Sequence, residues 1–181
     1  MRRQGQLWQH HLQQLECRGG YRWLSLQGSL TAKVRSVSEC FSLRLLKEGW
    51  FLPFLDEYSA LSEQRRSNVW TRDILLGDAP SGPFIPLVFA HSIVLDSDLS
   101  AWPYLRGLGN RPLGEVLFQH HGVKRSALQY RKIDRRHPLY RAAVAATQVN
   151  ATTLWARRSV FSLCGASLLV TEVFLPEIFQ R

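Results

Sequence analysis

Residues 167–176, Ser-Leu-Leu-Val-Thr-Glu-Val-Phe-Leu-Pro, form the segment that most constrains how this chain can fold. A β-strand points successive side chains to opposite faces, so Leu168, Val170, Glu172 and Phe174 share one face while leucine, threonine and valine alternate on the other. Both faces are mostly apolar, and we therefore expect the strand to be packed away from water. An unpaired buried carboxylate is costly, so Glu172 requires a cationic or hydrogen-bonding partner.

A second predicted strand, residues 69–76, offers such a cation. Its face with Trp70, Ile74 and Leu76 also carries Arg72, so a guanidinium lies on an otherwise apolar surface. One interpretation is a structural ion pair between Arg72 and Glu172. The other is a closed polar pocket for a small hydroxylated anion, in which Arg72 takes a carboxylate in bidentate fashion and Glu172 takes the hydroxyl. The residues alone leave both interpretations open.

The rest of the chain alternates strand patterns with short helix patterns. We expect further strands at residues 40–47, 87–95, 125–133 and 153–163, and the short connection Cys164-Gly-Ala166 predicts that the last of these pairs antiparallel with residues 167–175. Strands joined mainly by short turns, with a few helices between them, indicate an α+β fold on a single antiparallel β-sheet with flanking helices. Neither an internal repeat nor a linker is visible, so residues 1–181 are expected to form one domain.

Helices are indicated at five places. Gly28 and Ser29 resemble a turn and an N-cap that open a helix through about Val37, and Pro112 occupies the first position of another. A third helix is expected over residues 100–108, and residues 137–150 are either a helical connector or a flexible excursion. Over residues 1–20 a weak amphipathic helix is predicted from the apolar spacing of four side chains: Leu7, Trp8, Leu12 and Leu15.

Composition excludes several classes of protein. A chain of 181 residues with 45% hydrophobic content can bury a sizeable core. Because no run approaches 18 apolar residues and the start is polar, we expect a cytoplasmic protein without membrane insertion. Three distant cysteines, with no C-x-x-C spacing, support neither a disulfide framework nor a zinc site, and no histidine motif for metal catalysis is present.

The net charge of +9 raises the possibility of nucleic-acid binding. Arg-Arg pairs occur at residues 2–3, 65–66, 135–136 and 157–158, but they are dispersed, and no helix-turn-helix, zinc-finger or RNA-binding motif accompanies them. A positive field equally accelerates the encounter with a small dianion. We therefore expect a small-molecule ligand and no nucleic-acid partner.

Seven fragments in register make the chain similar to the chorismate pyruvate-lyase family, over about residues 23–176. The fragments are Gly28-Ser-Leu-Thr31; Lys47-Glu-Gly49; Trp70-x-Arg72-x-Ile-Leu-Leu76; Phe89-Ala-His-Ser92; Leu108-Gly-x-x-Pro-Leu-Gly114 with Leu117-Phe118; Leu154-Trp-x-Arg-Arg-Ser159; and Leu168-Leu-x-Thr-Glu172 with Pro176. The resemblance implies conversion of chorismate to 4-hydroxybenzoate and pyruvate, the first step of ubiquinone biosynthesis. It also implies a monomer without metal or cofactor, with helices enclosing an internal ligand site beside the sheet.

The resemblance assigns roles to five residues. Arg72 grips the ring carboxylate, Glu172 contacts the ring hydroxyl, and the backbones of Leu30 and Leu113 help to bind the aromatic product. His91 stands where the family usually has arginine, at the position expected to hold the enolpyruvyl carboxylate. An imidazole lacks the permanent forked charge of a guanidinium, so turnover is expected to fall as pH rises through roughly 6 to 8.

Two alternatives to an active lyase follow from the same residues. The first is a non-catalytic module that binds a small aromatic acid, like the effector-binding domains of certain bacterial repressors, which resemble these lyases. The second is a degenerate lyase that His91 has made slow or inactive. The absence of an attached DNA-binding domain and the presence of both Arg72 and Glu172 favour the enzyme.

Overall fold

The computed structural model of the chain describes residues 7–12, 19–61 and 67–181. In these residues there are seven strands: β1 (Phe41–Phe51), β2 (Val69–Asp78), β3 (Ile85–Leu95), β4 (Lys124–Arg125), β5 (Gln129–Asp134), β6 (Thr153–Leu163) and β7 (Ala166–Phe174). They form one sheet in the order β1-β2-β3-β7-β6-β4, and β5 pairs with the other half of β6. Every pairing is antiparallel, which confirms the predicted α+β fold on a single antiparallel sheet.

Five short α-helices lie against this sheet: α1 (Tyr21–Leu24), α2 (Leu30–Val37), α3 (Leu55–Ala60), α4 (Leu113–Gln119) and α5 (Pro138–Thr147). Two 3-10 helices follow β3 and β7, at Asp96–Ala101 and Pro176–Gln180. The described part of the chain contains no helix with the length and apolar character needed to cross a membrane.

The sheet is covered on both faces, which explains why both faces of its central strands are mostly apolar. We call the face that carries Arg72, Ser92, Glu172 and Arg157 the front face; register places these four residues on one side of β2, β3, β7 and β6. α2, α4 and the segment 96–112 pack on it. The back face carries Asp73 and His91, and α3 and α5 cover it.

The hairpin between β6 and β7 fixes the centre of the sheet. Leu163 pairs with Ala166, so the turn has two residues, Cys164 and Gly165, with φ of 50° and 88°. Positive φ at both central positions is the geometry of a type I′ turn, whose twist matches that of the strands. With the turn defined, Arg157 lies directly opposite Glu172.

Most predicted elements agree with the structure. The strand over 153–163 has the predicted bounds, and Ser29 caps α2 by accepting a hydrogen bond from the Ala32 backbone N–H at 3.2 Å. The segment 137–150 is a helix over Pro138–Thr147 rather than a flexible excursion, and the strand predicted at 125–133 is divided into β4 and β5.

One predicted helix is wrong, and a second is wrong in the part that the structure describes. Residues 100–108 consist of the end of a 3-10 helix followed by turns, because the apolar side chains of Trp102, Leu105 and Leu108 are held in the front-face core. Residues 7–12 are not helical either, since Gln9 forms a β-bridge with Tyr130. The rest of the predicted N-terminal helix falls mainly on residues 1–6 and 13–18, which lie outside the described residues.

Candidate active site

The partner that Glu172 requires is Arg157. The Arg157 Nε donates to Glu172 Oε2 at 2.5 Å, and its Nη1 donates to the backbone carbonyls of Trp23, Leu24 and Leu26 at 2.7–3.2 Å. Arg157 is fully buried, whereas the Glu172 side chain keeps 15% of its surface exposed. The ion pair therefore neutralises one side of the carboxylate and leaves the other side accessible.

That accessible side faces a small front-face cavity of about 40 Å³, between the two hydrophobic clusters of this face. Its walls come from the sheet and from the starts of α2 and α4; they include Leu30, Ile74, Ala90, Ser92, Leu113, Phe161, Val170 and Glu172. The structure thus brings three of the predicted site residues, Leu30, Leu113 and Glu172, to one cavity.

Leu30 and Leu113 are the first residues of their helices, where backbone N–H groups have no partner within the helix. Such groups are available to a ligand oxygen in the cavity. The two helix starts lie close together because Gly114 has no side chain: a Cβ there would be 3.2 Å from Ser29 Oγ and 3.3 Å from Thr31 Oγ1. Gly114 therefore sets the width of this wall.

Arg72 lies on the same face as Glu172, as predicted, but its guanidinium sits beside the cavity rather than in its wall. It is 2% exposed, and its Nη2 donates to the carbonyls of Gly109 and Arg111 at 2.7 and 3.1 Å. Burial lowers the pKa of Arg72, and the charge of Glu48 raises it. Its Nε has no hydrogen-bond partner among the described residues, so donor capacity remains for an anion.

The structure contradicts the structural ion pair between Arg72 and Glu172, because Glu172 is paired with Arg157. Instead, the charge of Arg72 is held by neutral carbonyl oxygens of the segment that leads into α4. A buried guanidinium that is hydrogen-bonded only to carbonyl oxygens is well suited to bind a carboxylate. The charge of Glu48 acts on it from the neighbouring strand, but the two side chains form no ion pair among the described residues.

His91 does not lie at this site, and the expectation that it holds a substrate carboxylate is wrong on geometry. It pairs with Asp73 and Thr171 across the strands, on the back face of the sheet. The imidazole is 4% exposed, with Nδ1 2.5 Å from Asp73 Oδ1 and Nε2 3.0 Å from Glu57 Oε1, and its ring stacks on Phe54. The back-face cluster of His91, Asp73 and Glu57 is closed to a ligand.

Burial by itself lowers the pKa of His91, but the charge of Glu57 and the hydrogen bonds to Asp73 and Glu57 raise it to about 10. The ring is therefore charged throughout the neutral range. The expected fall of turnover between pH 6 and 8 from loss of the His91 charge has no basis in this geometry.

A larger cleft, of about 1410 Å³, opens on the other side of the sheet between α3, β5 and the start of α5. Two acidic residues, Asp56 and Asp134, line this cleft. Asp56 already accepts a hydrogen bond from Trp8 Nε1 at 2.6 Å and lies 3.5–3.6 Å from Arg158 and His137. Burial by itself raises the pKa of Asp56, but the hydrogen bonds from His137 and Trp8 and the charges of His137 and Arg158 outweigh it and hold the pKa well below its usual value. The charge of Asp56 is therefore already matched by protein groups, and size alone does not make this cleft the active site.

Arg157 is the functional residue that reasoning from the sequence missed. It is part of the Leu154-Trp-x-Arg-Arg-Ser159 fragment and of a correctly predicted strand. The pairing of Arg157 with Glu172 can be derived from the length of the turn. With a two-residue turn at Cys164 and Gly165, residues 157 and 172 are equally far from the turn and therefore lie opposite each other.

Comparisons with known proteins show what the chain is similar to. The family model described as chorismate lyase matches residues 3–181. A protein of Thiobacillus denitrificans, named probable chorismate pyruvate-lyase, is 45% identical over 158 residues, covering 86% of this chain and 82% of its own length. A protein of the same name from Cupriavidus metallidurans is 43% identical, covering 88% of this chain and 74% of its own.

Solved structures support the fold alone. The C-terminal domain of PhnF aligns with a TM-score of 0.57 at 14% identity, covering 77% of this chain and 85% of that domain. The effector domain of PhnF from Mycobacterium smegmatis aligns with a TM-score of 0.55 at 10% identity, covering 83% and 90%. At these identities, the regulators share the architecture of the sheet with the chain and carry no argument about its ligand.

Proposed function

Since the chain belongs to the chorismate lyase family, we propose that it is a chorismate pyruvate-lyase, a carbon-oxygen lyase that converts chorismate into 4-hydroxybenzoate and pyruvate. The observation that carries the proposal is the front-face cavity, where the accessible side of Glu172 faces the starts of α2 and α4 and Arg72 lies alongside. A buried cation at one end and a carboxylate at the other match an aromatic ring with a carboxylate and a hydroxyl.

Each residue has a defined role in this proposal. Arg72 holds the ring carboxylate through its free donor capacity, and Glu172, oriented by Arg157, accepts the hydrogen bond of the ring hydroxyl. The backbones of Leu30 and Leu113 help to fix the ring between them. Arg157 touches no substrate and acts as a positioning residue.

The chemistry requires little of the protein beyond positioning. The bond between the ring carbon and the ether oxygen breaks, a ring hydrogen moves to the enolpyruvyl methylene, and the ring becomes aromatic while pyruvate leaves. Holding the enolpyruvyl group over the ring favours the concerted transfer, and cations stabilise the developing enolpyruvate charge. Alternatively, Glu172 acts as a base toward the hydroxyl or an adjacent proton. Glu172→Gln separates the two routes, because it preserves a hydroxyl acceptor and removes the base.

No step of this scheme uses a metal or cofactor, and the proposed setting is a cytoplasmic monomer that supplies 4-hydroxybenzoate to ubiquinone biosynthesis. Size-exclusion chromatography with light scattering measures the oligomeric state. Complementation of a strain that lacks its own chorismate lyase, scored by ubiquinone content, tests the pathway.

The direct test is incubation of the purified protein with chorismate. Equal amounts of pyruvate and 4-hydroxybenzoate, formed at a rate proportional to protein and lost in Glu172→Ala, are the expected result. Binding of 4-hydroxybenzoate without turnover would instead identify a non-catalytic binding module. The degenerate-lyase alternative rested on His91 as the anchor of the enolpyruvyl carboxylate. His91 lies on the back face, so this argument no longer applies.

A further inference from the structure

The front-face cavity has a guanidinium in its wall that none of the roles above uses. Arg125, in β4, is the lining residue that carries a positive charge. It is half-buried, and no carboxylate lies within ion-pair distance of it among the described residues, because the nearby Glu172 is paired with Arg157. A cation without an anionic partner at the edge of a binding cavity is available for an anionic ligand.

The structure fixes where this guanidinium lies. Its Nε donates to Ser159 Oγ at 2.8 Å and its Nη1 donates to the Gln27 carbonyl at 2.8 Å. The rings of Phe118 and Phe161 flank it at 5.6 and 5.2 Å from their centroids. These contacts hold the planar group and reduce its hydration, so that a carboxylate bound there loses little to reorganisation. No hydrogen bond to its Nη2 is found in the part of the chain that the structure describes.

The position of the Arg125 guanidinium relative to Arg72 suits a ligand with two carboxylates. Ser159, which holds Arg125, lies in the same cross-strand row as Arg72, in the order Arg72, Ser92, Val170, Ser159. Three strand spacings separate the ends of this row, or about 14 Å between backbones at 4.7–4.9 Å each. Both arginines lie on the front face, and the two residues between Arg72 and Ser159 in this row, Ser92 and Val170, line the cavity.

Chorismate carries a second carboxylate, on its enolpyruvyl group. Among the other candidate cations, His91 is enclosed on the back face. Arg157 is fully buried, is not a lining residue of the cavity, and already donates to Glu172 and three carbonyls, which leaves only its Nη2 without a partner among the described residues. We propose that Arg125 binds the enolpyruvyl carboxylate, opposite the ring carboxylate held by Arg72. This inference rests on the proposed function, since it names the second anchor of the same substrate.

Comparing substrate with product tests the inference, because 4-hydroxybenzoate lacks the enolpyruvyl carboxylate. Arg125→Gln is expected to lower kcat/KM for chorismate about 10- to 100-fold, the range of a lost charge-assisted hydrogen bond, while the Kd of 4-hydroxybenzoate changes less than about twofold. Arg125→Lys should recover part of the loss. Arg44→Gln, an exposed arginine of β1, is the matched control and should change neither quantity.

Two results would overturn the inference: an Arg125→Gln protein with unchanged kcat/KM, or one whose affinity for 4-hydroxybenzoate falls in parallel with kcat/KM. The second result indicates a merely structural role for Arg125. Circular dichroism checks independently whether Arg125→Gln is folded, and Arg125→Lys checks whether a positive charge restores kcat/KM. If the wild-type protein does not turn over chorismate, the proposed function fails instead. Calorimetry then tests the inference without turnover. Arg125→Gln should weaken the affinity for chorismate much more than the affinity for 4-hydroxybenzoate, and an equal loss of both affinities would contradict the inference.

Discussion

The two faces of the sheet carry buried charges that are organised in opposite ways. On the back face, both ring nitrogens of His91 face carboxylates of the protein, Asp73 at 2.5 Å and Glu57 at 3.0 Å, and the residue is 4% exposed. Its Nε2 lacks the geometry of a hydrogen bond to Glu57, but the charge of the ring is matched by two carboxylates. On the front face, Arg72 has an unpartnered Nε and no ion pair among the described residues, and the Glu172 side chain keeps 15% of its surface exposed at a cavity. A buried charge therefore indicates a binding site where the protein leaves it without an ion pair or accessible at a cavity.

The largest effect that this comparison predicts is on stability, at the back face. Replacing His91 by leucine removes the cation that lies between the buried carboxylates of Asp73 and Glu57 and leaves Asp73 with only Lys47 at 4.0 Å. The free energy of unfolding at pH 7 should therefore fall by about 3–5 kcal/mol. Urea unfolding followed by tryptophan fluorescence measures it, with the exposed Arg135→Gln as the control. A His91→Leu protein as stable as wild type would mean that the cluster does not hold α3 on the sheet.

The next effect is on binding, at the front face. Arg72→Ala should weaken the affinity for 4-hydroxybenzoate by about 2–5 kcal/mol, since the ring carboxylate then loses its buried cation. Arg72→Lys should restore only part of this, because an ammonium lacks the fork. Calorimetry on folded protein gives the values, and unchanged affinity in the alanine variant would exclude Arg72 as the anchor.

The pH dependence of stability separates the faces further. The pKa of His91 is raised to about 10 in the folded protein and is near 6.5 when unfolded. A raised folded pKa means that the stabilisation is complete below about pH 6.5 and is lost as pH rises toward 10. The facing groups are Asp73 of β2, Glu57 of α3 and, 4.0 Å from Asp73, Lys47 of β1. Unfolding free energy should therefore fall by up to about 1.4 kcal/mol per pH unit in this window, and less in His91→Leu.

The smallest expected effect is on catalysis by back-face variants. His91→Gln keeps hydrogen-bonding groups near Asp73 and Glu57 but removes the charge. If it folds, its kcat/KM for chorismate at pH 7 should stay within about twofold of wild type, because the front-face residues are unchanged. A loss of more than tenfold in folded protein would show that the faces are coupled, and the division drawn between them would then fail.

Much of the front face could be predicted from the sequence, because strand alternation identifies a lone charge on an apolar face. Arg72 and Glu172 were found in this way, and the two-residue turn between β6 and β7 also determines the pairing of Arg157 with Glu172. The start of α2 could also be predicted, because serine at position 29 is a preferred N-cap residue directly before a helical pattern of apolar residues.

The face on which His91 lies could not be predicted from the sequence. Both faces of β3 are buried, so its pattern does not tell one from the other, and a shift of one residue moves every side chain across the sheet. The connection from β2 is long, and the register shifts between Leu76 and Gly77, so turn length does not determine the pairing. The conformation of the segment 96–112 could not be predicted from local sequence rules either. Tertiary packing of Trp102 and Leu105 overrides the helical spacing of its apolar residues.

A crystal structure of the protein with bound 4-hydroxybenzoate tests the division between the faces most directly. The account predicts that the ring lies in the front-face cavity, enlarged to admit it, with its carboxylate on the Arg72 guanidinium and its hydroxyl on the carboxylate of Glu172. It also predicts that His91 remains between Asp73 and Glu57, unmoved by the ligand. A ring bound in the back-face cleft beside Asp56, or a carboxylate in contact with His91, would contradict it.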